Sequence, residues 1–214
     1  MERACFYLRL YPGTEAEYDR RHAAIWPEQQ AAIRDAGIRN MSGFRRGTDV
    51  WYYTECQPDA KTAFAELGAS KANLKWNDSF RPIIAELTQA DGERIWFEEI
   101  FHTNGGGAGP FERGLFALVV HPDRLADYDR RHAEPWPEMM RALDEAGFHN
   151  YTGFRRGSQV VYYGEFHPDM AAAVGAIGAT DTNRRWNSSF QGIIATITDA
   201  SGNLLTAREI FHQD

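Results

Sequence analysis

Apolar and polar positions alternate through residues 5–11, with Phe6, Leu8 and Leu10 on one face and Cys5, Tyr7 and Arg9 on the other. That period of two predicts a first strand. Pro12-Gly13 ends it, and a helix is expected from about Thr14, with Tyr18 and His22 four apart on one helical face. Pro27 does not suit a helix interior, so the helix should break near Trp26. Pro27-Glu28 should then open a further turn, with proline at its favoured first position. Ala36-Gly37 reads as the C-terminal stop. Residues 38–46 and 50–56 read as two strands around the turn Arg46-Gly47-Thr48-Asp49. A helix should follow from Pro58-Asp59 through Leu67, ended by Gly68. Trp76, Phe80, Ile83, Ile84 and Leu87 then recur at helical spacing, which predicts one more helix, kinked at Pro82. Asp91-Gly92 turns into a last strand with Phe97, Glu99 and Phe101 on one face.

The whole pattern is written twice. Tyr18-Asp19-Arg20-Arg21-His22 and Trp26-Pro27-Glu28 return as Tyr128-Asp129-Arg130-Arg131-His132 and Trp136-Pro137-Glu138, an offset of 110 residues that holds without a gap. The same offset links Gly43-Phe44-Arg45-Arg46-Gly47 with Gly153-Phe154-Arg155-Arg156-Gly157, and Glu99-Ile100-Phe101-His102 with Glu209-Ile210-Phe211-His212. So long a period means two globular units, not stacked solenoid repeats. Residues 1–104 form one repeat, 105–112 a glycine-rich linker and 113–214 the second repeat. Each repeat reads β-α-β-β-α-β, the ferredoxin-like arrangement, so the fold class is α+β. Helices cover one sheet face and the other needs a partner. The economical arrangement is an internal dimer, two four-stranded sheets closed face to face into an α+β barrel by one chain, and therefore a monomer.

Composition narrows the function. The net charge of −7 is shared almost evenly between the repeats with no basic stripe, which argues against a nucleic acid partner. Aromatic content of 13% and hydrophobic content of 43% allow real cores. Cys5 and Cys56 fall in strand-like runs and correspond to Leu115 and Phe166 in the second repeat, so both read as buried thiols and not as a disulfide or zinc site. No apolar run is long enough to span a bilayer and no secretory leader is evident, which reads as a cytoplasmic protein without membrane partners.

His22 and His132 are the first candidates for chemistry, each with Tyr at i−4 and Trp at i+4. A structural hydrogen-bonding role is the alternative for either. His102 and His212 could join them around a metal, but no His-x-His or Cys-x-x-Cys group exists, so no metal is expected. Trp76-Asn77 and Trp186-Asn187 combine an apolar face with an amide, as a sugar site needs, although a repeated tryptophan is also ordinary core. Tyr52-Tyr53 and Tyr162-Tyr163 read as lining or core; Glu99 and Glu209 could orient a ligand, although pairing with Arg45 or Arg155 is the favoured reading. Gly105-Gly106-Gly107 lacks the strand-to-helix setting of a phosphate loop. Cofactor-free acid–base work or simple binding remains.

The run Tyr-x-x-Arg-His-x-x-(Ile/Pro)-Trp-Pro-Glu, with Gly-x-x-Asn, the late-helix Trp and the closing Glu-Ile-Phe-His, resembles the L-rhamnose mutarotase family over nearly all of each repeat. That resemblance implies a dimeric α+β barrel that interconverts the α and β anomers of a deoxy-hexose such as L-rhamnose or L-fucose. It implies that His22 and His132 are proton donors, and a group with pKa near neutrality, as histidine ordinarily has, suits proton transfer in both directions. Tyr18, Tyr128, Tyr151, Trp76 and Trp186 would then bind sugar. The sequence departs from the family at Met41, where the second repeat keeps Tyr151, and at Asn77 and Asn187, which replace the second tryptophan of a pair. Two other classes remain open: a cofactor-free monooxygenase on the same barrel, and a non-catalytic sugar-binding module.

Overall fold

The computed structural model describes residues 1–107 and 109–214. The expected linker therefore lies in part, at Ala108, outside the described residues. The first repeat runs β1 (Glu2–Leu10), α1 (Glu15–His22), α2 (Pro27–Asp35), β2 (Ile38–Arg46), β3 (Asp49–Cys56), α3 (Ala60–Ala69), α4 (Lys71–Phe80), β4 (Ile84–Glu86) and β5 (Ile95–Thr103). The second runs β6 (Glu112–Val120), a short 3-10 turn at Pro122–Arg124, α5 (Leu125–Ala133), α6 (Pro137–Glu145), β7 (Phe148–Arg156), β8 (Gln159–Phe166), α7 (Met170–Gly178), α8 (Asp181–Ser189), β9 (Ile194–Thr196) and β10 (Leu205–Gln213). The α+β class and the two ferredoxin-like repeats match the expectation from the pattern.

Local chemistry sets the breaks. Pro27 and Pro137 open α2 and α6 at the first helical position, where their missing N–H has no partner to lose. Asp59 and Asp169 cap α3 and α7 by accepting from the N–H of Thr62 (2.7 Å) and Ala172 (2.8 Å). The late helix is shorter than its apolar spacing implied. It stops at Phe80 in one repeat and Ser189 in the other, and Ile84 and Ile194 belong to short strands beside β1 and β6. Pro82 has no N–H to continue the helix, and Gly192 adopts a left-handed φ of +71° at the matching position. Gly68 lies inside α3 and does not end it.

Two compact units result, and their bounds differ from the repeats in the sequence. One unit holds residues 1–97 with 208–214, and the other holds residues 98–207. In the first, β1 pairs β3 and, through Ile95–Phe97, the start of β5; β3 pairs β2; and β2 pairs residues 208–213 of β10. In the second, β6 pairs β8 and the start of β10, while β7 pairs β8 and residues 98–103 of β5. The last strand of each repeat thus begins in one unit and ends in the other. Each handover is marked by a bulge between Glu99 and Phe101 or between Glu209 and Phe211.

Both cores lie between sheet and helices. Phe6, Leu8, Tyr52, Ile33, Phe64 and Trp76 pack together in the first unit, and Phe116, Leu118, Tyr162, Leu143 and Ile177 in the second. Cys5 and Cys56 are buried free thiols, as expected. The glycine-rich segment is tied to the second unit: the Asn150 N–H donates to the Asn104 carbonyl at 2.9 Å, and Gly106 N–H donates to the Asp144 carboxylate. Gly105 has φ +61°, and a Cβ there would sit 2.0 Å from the Phe148 carbonyl oxygen. Among the described residues no helix is long and apolar enough to cross a membrane.

Candidate functional site

In each unit a cavity lies between the sheet and the helices, and the same framework builds both. The last turn of α1 turns Tyr18 and His22 inward, 1% and 8% exposed. Asp19, on the other side of that turn, is held by Arg45 of β2 through two bonds of 2.8 and 2.6 Å, and Arg208 adds a third contact. Asp129 and Arg155 repeat the forked pair at 2.7 Å. These forked aspartate–arginine pairs anchor each histidine helix to the sheet.

The imidazole itself is fixed at both nitrogens. His22 Nδ1 lies 3.0 Å from the Tyr18 carbonyl oxygen, and a carbonyl only accepts, so Nδ1 carries the proton. Nε2 is then the acceptor, and the Tyr52 hydroxyl donates to it at 2.8 Å. The Tyr52 oxygen in turn takes the proton of the Tyr18 hydroxyl at 2.7 Å. The second unit has the same chain: His132 Nδ1 to the Tyr128 carbonyl at 3.0 Å, Tyr162 to Nε2 at 2.5 Å, Tyr128 to Tyr162 at 2.8 Å. Loss of water around the ring lowers the His22 pKa to about 4 and lowers that of His132 as well, against smaller opposing effects of the backbone carbonyl and the neighbouring aspartate. The expectation of a histidine titrating near neutrality does not fit this burial. At pH 7 both rings are neutral, and each is a base before it is an acid.

The partner of Nε2 was not singled out by residue pattern. Tyr52 and Tyr162 were expected as lining or core, and burial raises the pKa of both. A signal for them stands in the repeated glycine opposite. Gly43 pairs across the ladder with Tyr52, and a Cβ there would lie 2.7 Å from the Tyr52 ring; Gly153 and Tyr162 repeat this at 2.7 Å. The glycine leaves room for the phenol to lie flat along the sheet, stacked on Phe6 at 4.9 Å or Phe116 at 5.3 Å.

The Gly-x-x-Asn motif also acquires a physical reason. Asn40 and Asn150 have a left-handed φ of 43° and are the extra residues of bulges in β2 and β7. Asparagine tolerates that conformation. The bulge puts the following side chain, Met41 or Tyr151, on the cavity side. The Tyr151 ring stacks on Tyr162 at 5.2 Å, and its hydroxyl has no hydrogen-bond partner among the described residues.

Trp76 and Trp186 meet the histidine rings edge-on at 5.6 and 6.0 Å, and Trp26 and Trp136 brace them at 5.1 and 5.2 Å. Asn77 and Asn187 line the cavities but are largely exposed at the rim. Asn73 and Asn183, one turn earlier on the same helix face, also line them and were not anticipated. The rings of His102 and His212 lie elsewhere, on Thr152 and Asn104 and on Ser42 and Asp214.

The two cavities differ. That of the second unit has a volume of about 240 Å³ and an apolar floor including Met139, Val174 and Leu204. That of the first is about 80 Å³, with Gln29, Phe64 and Arg94 at the equivalent positions.

The model of the L-rhamnose mutarotase family matches residues 3–103 and again residues 113–213. An L-rhamnose mutarotase of Oceanobacillus iheyensis is 29% identical over 103 residues, 48% of this chain and 99% of that protein. One from Acidiphilium cryptum is 32% identical over 101 residues, 47% of this chain and 97% of its own. Among solved structures, a Lactobacillus acidophilus protein described as a candidate monooxygenase superposes with a TM-score of 0.61 at 10% identity, covering 99% of this chain and 94% of that one. At that identity the likeness concerns the fold alone. With its two consecutive family matches, each carrying its own Tyr-x-x-x-His helix, the chain belongs to the L-rhamnose mutarotase family.

Proposed function

We propose that the protein is a sugar mutarotase, a carbohydrate isomerase that interconverts the anomers of a 6-deoxyhexose such as L-rhamnose or L-fucose. The observation that carries this reading is the neutral imidazole whose Nε2 meets a tyrosine hydroxyl inside an aromatic cavity, built identically in both units. Mutarotation needs the anomeric hydroxyl to lose a proton and the ring oxygen to gain one, after which C1–C2 rotates and the ring closes on the other face. Both oxygens are bonded to C1, so one nitrogen can serve them in turn. A sugar hydroxyl replacing Tyr52 or Tyr162 at Nε2 gives its proton to the imidazole. The imidazolium, strongly acidic in this dry setting, returns it to the ring oxygen. Nδ1–H stays on the backbone carbonyl and holds the ring in place. A single acid–base group of this kind contributes about 10²–10⁴-fold.

The apolar floor of the second cavity favours a sugar with a methyl group at C6. A hydroxymethyl group there would bury an unpaired hydroxyl, at about 1–3 kcal/mol. Saturation-transfer NMR between anomers tests the proposal, with L-rhamnose, L-fucose and common D-hexoses. Acceleration of the deoxy sugars, lost in a folded His22→Ala/His132→Ala protein, is the expected result. Exchange retained by that protein would remove histidine from the mechanism. Two family units in one chain further support a monomer, for which light scattering should give 24.3 kDa.

A further inference from the structure

The first cavity carries a charged side chain where the second has none. Arg94 lines it, and its guanidinium carbon lies 4.6 Å from the ring centre of Phe6, 4.8 Å from Phe64 and 5.9 Å from Trp96. No carboxylate and no hydrogen-bond acceptor meets the guanidinium among the described residues, and loss of water lowers its pKa to about 10. A half-buried guanidinium with its face on aromatic rings keeps its edge of N–H donors for something else. The second repeat keeps Phe116 in place of Phe6 but loses the rest: Arg94, Phe64 and Trp96 become Leu204, Val174 and Thr206.

An independent observation concerns Gln29, 3% exposed, in the same cavity. Its Nε2 donates to Asn73 Oδ1 at 3.0 Å, while its buried Oε1 accepts from no described residue. A buried amide oxygen without a donor is unfavourable. The second repeat has Met139 here, which needs no partner.

Resting on the mutarotase reading of the two sites, we infer that the first cavity takes a sugar acid, its carboxylate on the Arg94 guanidinium and one of its hydroxyls donating to Gln29 Oε1. The Phe6 ring that Arg94 covers is stacked on Tyr52, whose hydroxyl meets His22 Nε2. Arg94, Tyr52 and His22 thus line the same cavity. The two units then serve different substrates, a sugar acid in the first and a neutral deoxy sugar in the second.

Calorimetric titration with D-galacturonate and D-glucuronate, against D-galactose and D-glucose, tests this on the full chain. The uronates should bind at least tenfold more tightly than their neutral counterparts, and Arg94→Leu should abolish that preference. The leucine is what the second unit carries at position 204, and circular dichroism checks the fold. Arg94→Lys should keep part of the preference, as a point charge without the fork. Uronates binding no better than neutral hexoses, or equally well to Arg94→Leu, would overturn the inference. L-rhamnose exchange in the wild-type protein is followed separately. Arg94-dependent uronate binding without any anomer exchange would leave this inference standing and remove the catalytic reading.

Discussion

The burial of His22 makes a quantitative prediction about pH. An unfolded histidine titrates near 6.5, whereas the buried ring waits until about pH 4. Between those values the unfolded chain holds the extra proton, so stability falls as pH is lowered through this window and levels off below it. The shift of roughly 2.5 units corresponds to about 3 kcal/mol in all, of which about 2 kcal/mol is already lost by pH 5. Carboxylates held below their ordinary range, such as Asp19 beside Arg45, remain ionised at pH 5 and leave the comparison clean. The assay is urea unfolding followed by tryptophan fluorescence at pH 7.5 and pH 5, for wild type and His22→Gln. Wild type should lose about 2 kcal/mol more than the variant over that interval. Exchange at the first unit, measured in the His132→Ala protein, should not fall across the same range, because His22 stays neutral there. A His22 ring resonance titrating near 6.5, or equal pH dependence in both proteins, would refute the argument that burial controls this ring.

Tyr162→Phe removes the hydroxyl that donates to His132 Nε2 and leaves a buried acceptor exposed to whatever enters the cavity. Because the sugar hydroxyl takes the place of Tyr162 at Nε2, anomer exchange at the second unit should not fall, whereas the unpaired buried nitrogen should cost about 1–3 kcal/mol of stability, read as a lower melting temperature. Gly153→Ala places a methyl 2.7 Å from the Tyr162 ring, so it should lower both exchange and thermal stability, whereas Gly157→Ala, with open space around it, should spare exchange. Tyr151→Met should weaken sugar binding at the second unit by about threefold to tenfold, measured by titration of the His22→Ala protein. The reverse change, Met41→Tyr, should need Thr54→Gly beside it. Gly164 stands at the matching place, and a Cβ there would lie 3.0 Å from the Tyr151 ring. Success of Met41→Tyr alone would show that the bulge can turn the side chain elsewhere.

The framework of the site was legible along the chain because its causes are local. Tyr18 and His22 share a helical face by spacing alone, Pro27 starts its helix by lacking an N–H, and the offset of 110 residues pairs every landmark with its copy. The cavities' inequality was half visible in Met41 against Tyr151. Its larger part, Gln29 with Arg94 against Met139 with Leu204, was spelled out at the same offset but had no meaning until the fold brought residues 65 positions apart into one cavity.

Tertiary structure alone decided the rest. The apolar spacing from Trp76 to Leu87 satisfies a helix and a turn-plus-strand equally well, and pairing of Ile84 with β1 chose the second. Each closing strand is one unbroken segment in sequence, yet a bulge at Ile100 or Ile210 hands it from one unit to the other, and hydrogen-bond register is not encoded by side-chain alternation alone. The ionisation of His22 was likewise beyond reach of its neighbours in the chain. Residue type sets a pKa near 6.5, but whether the ring keeps its charge depends on how much water the fold removes. That is settled by Phe80, Trp76 and Phe211 closing over it, and by Tyr52 arriving from a strand thirty residues away.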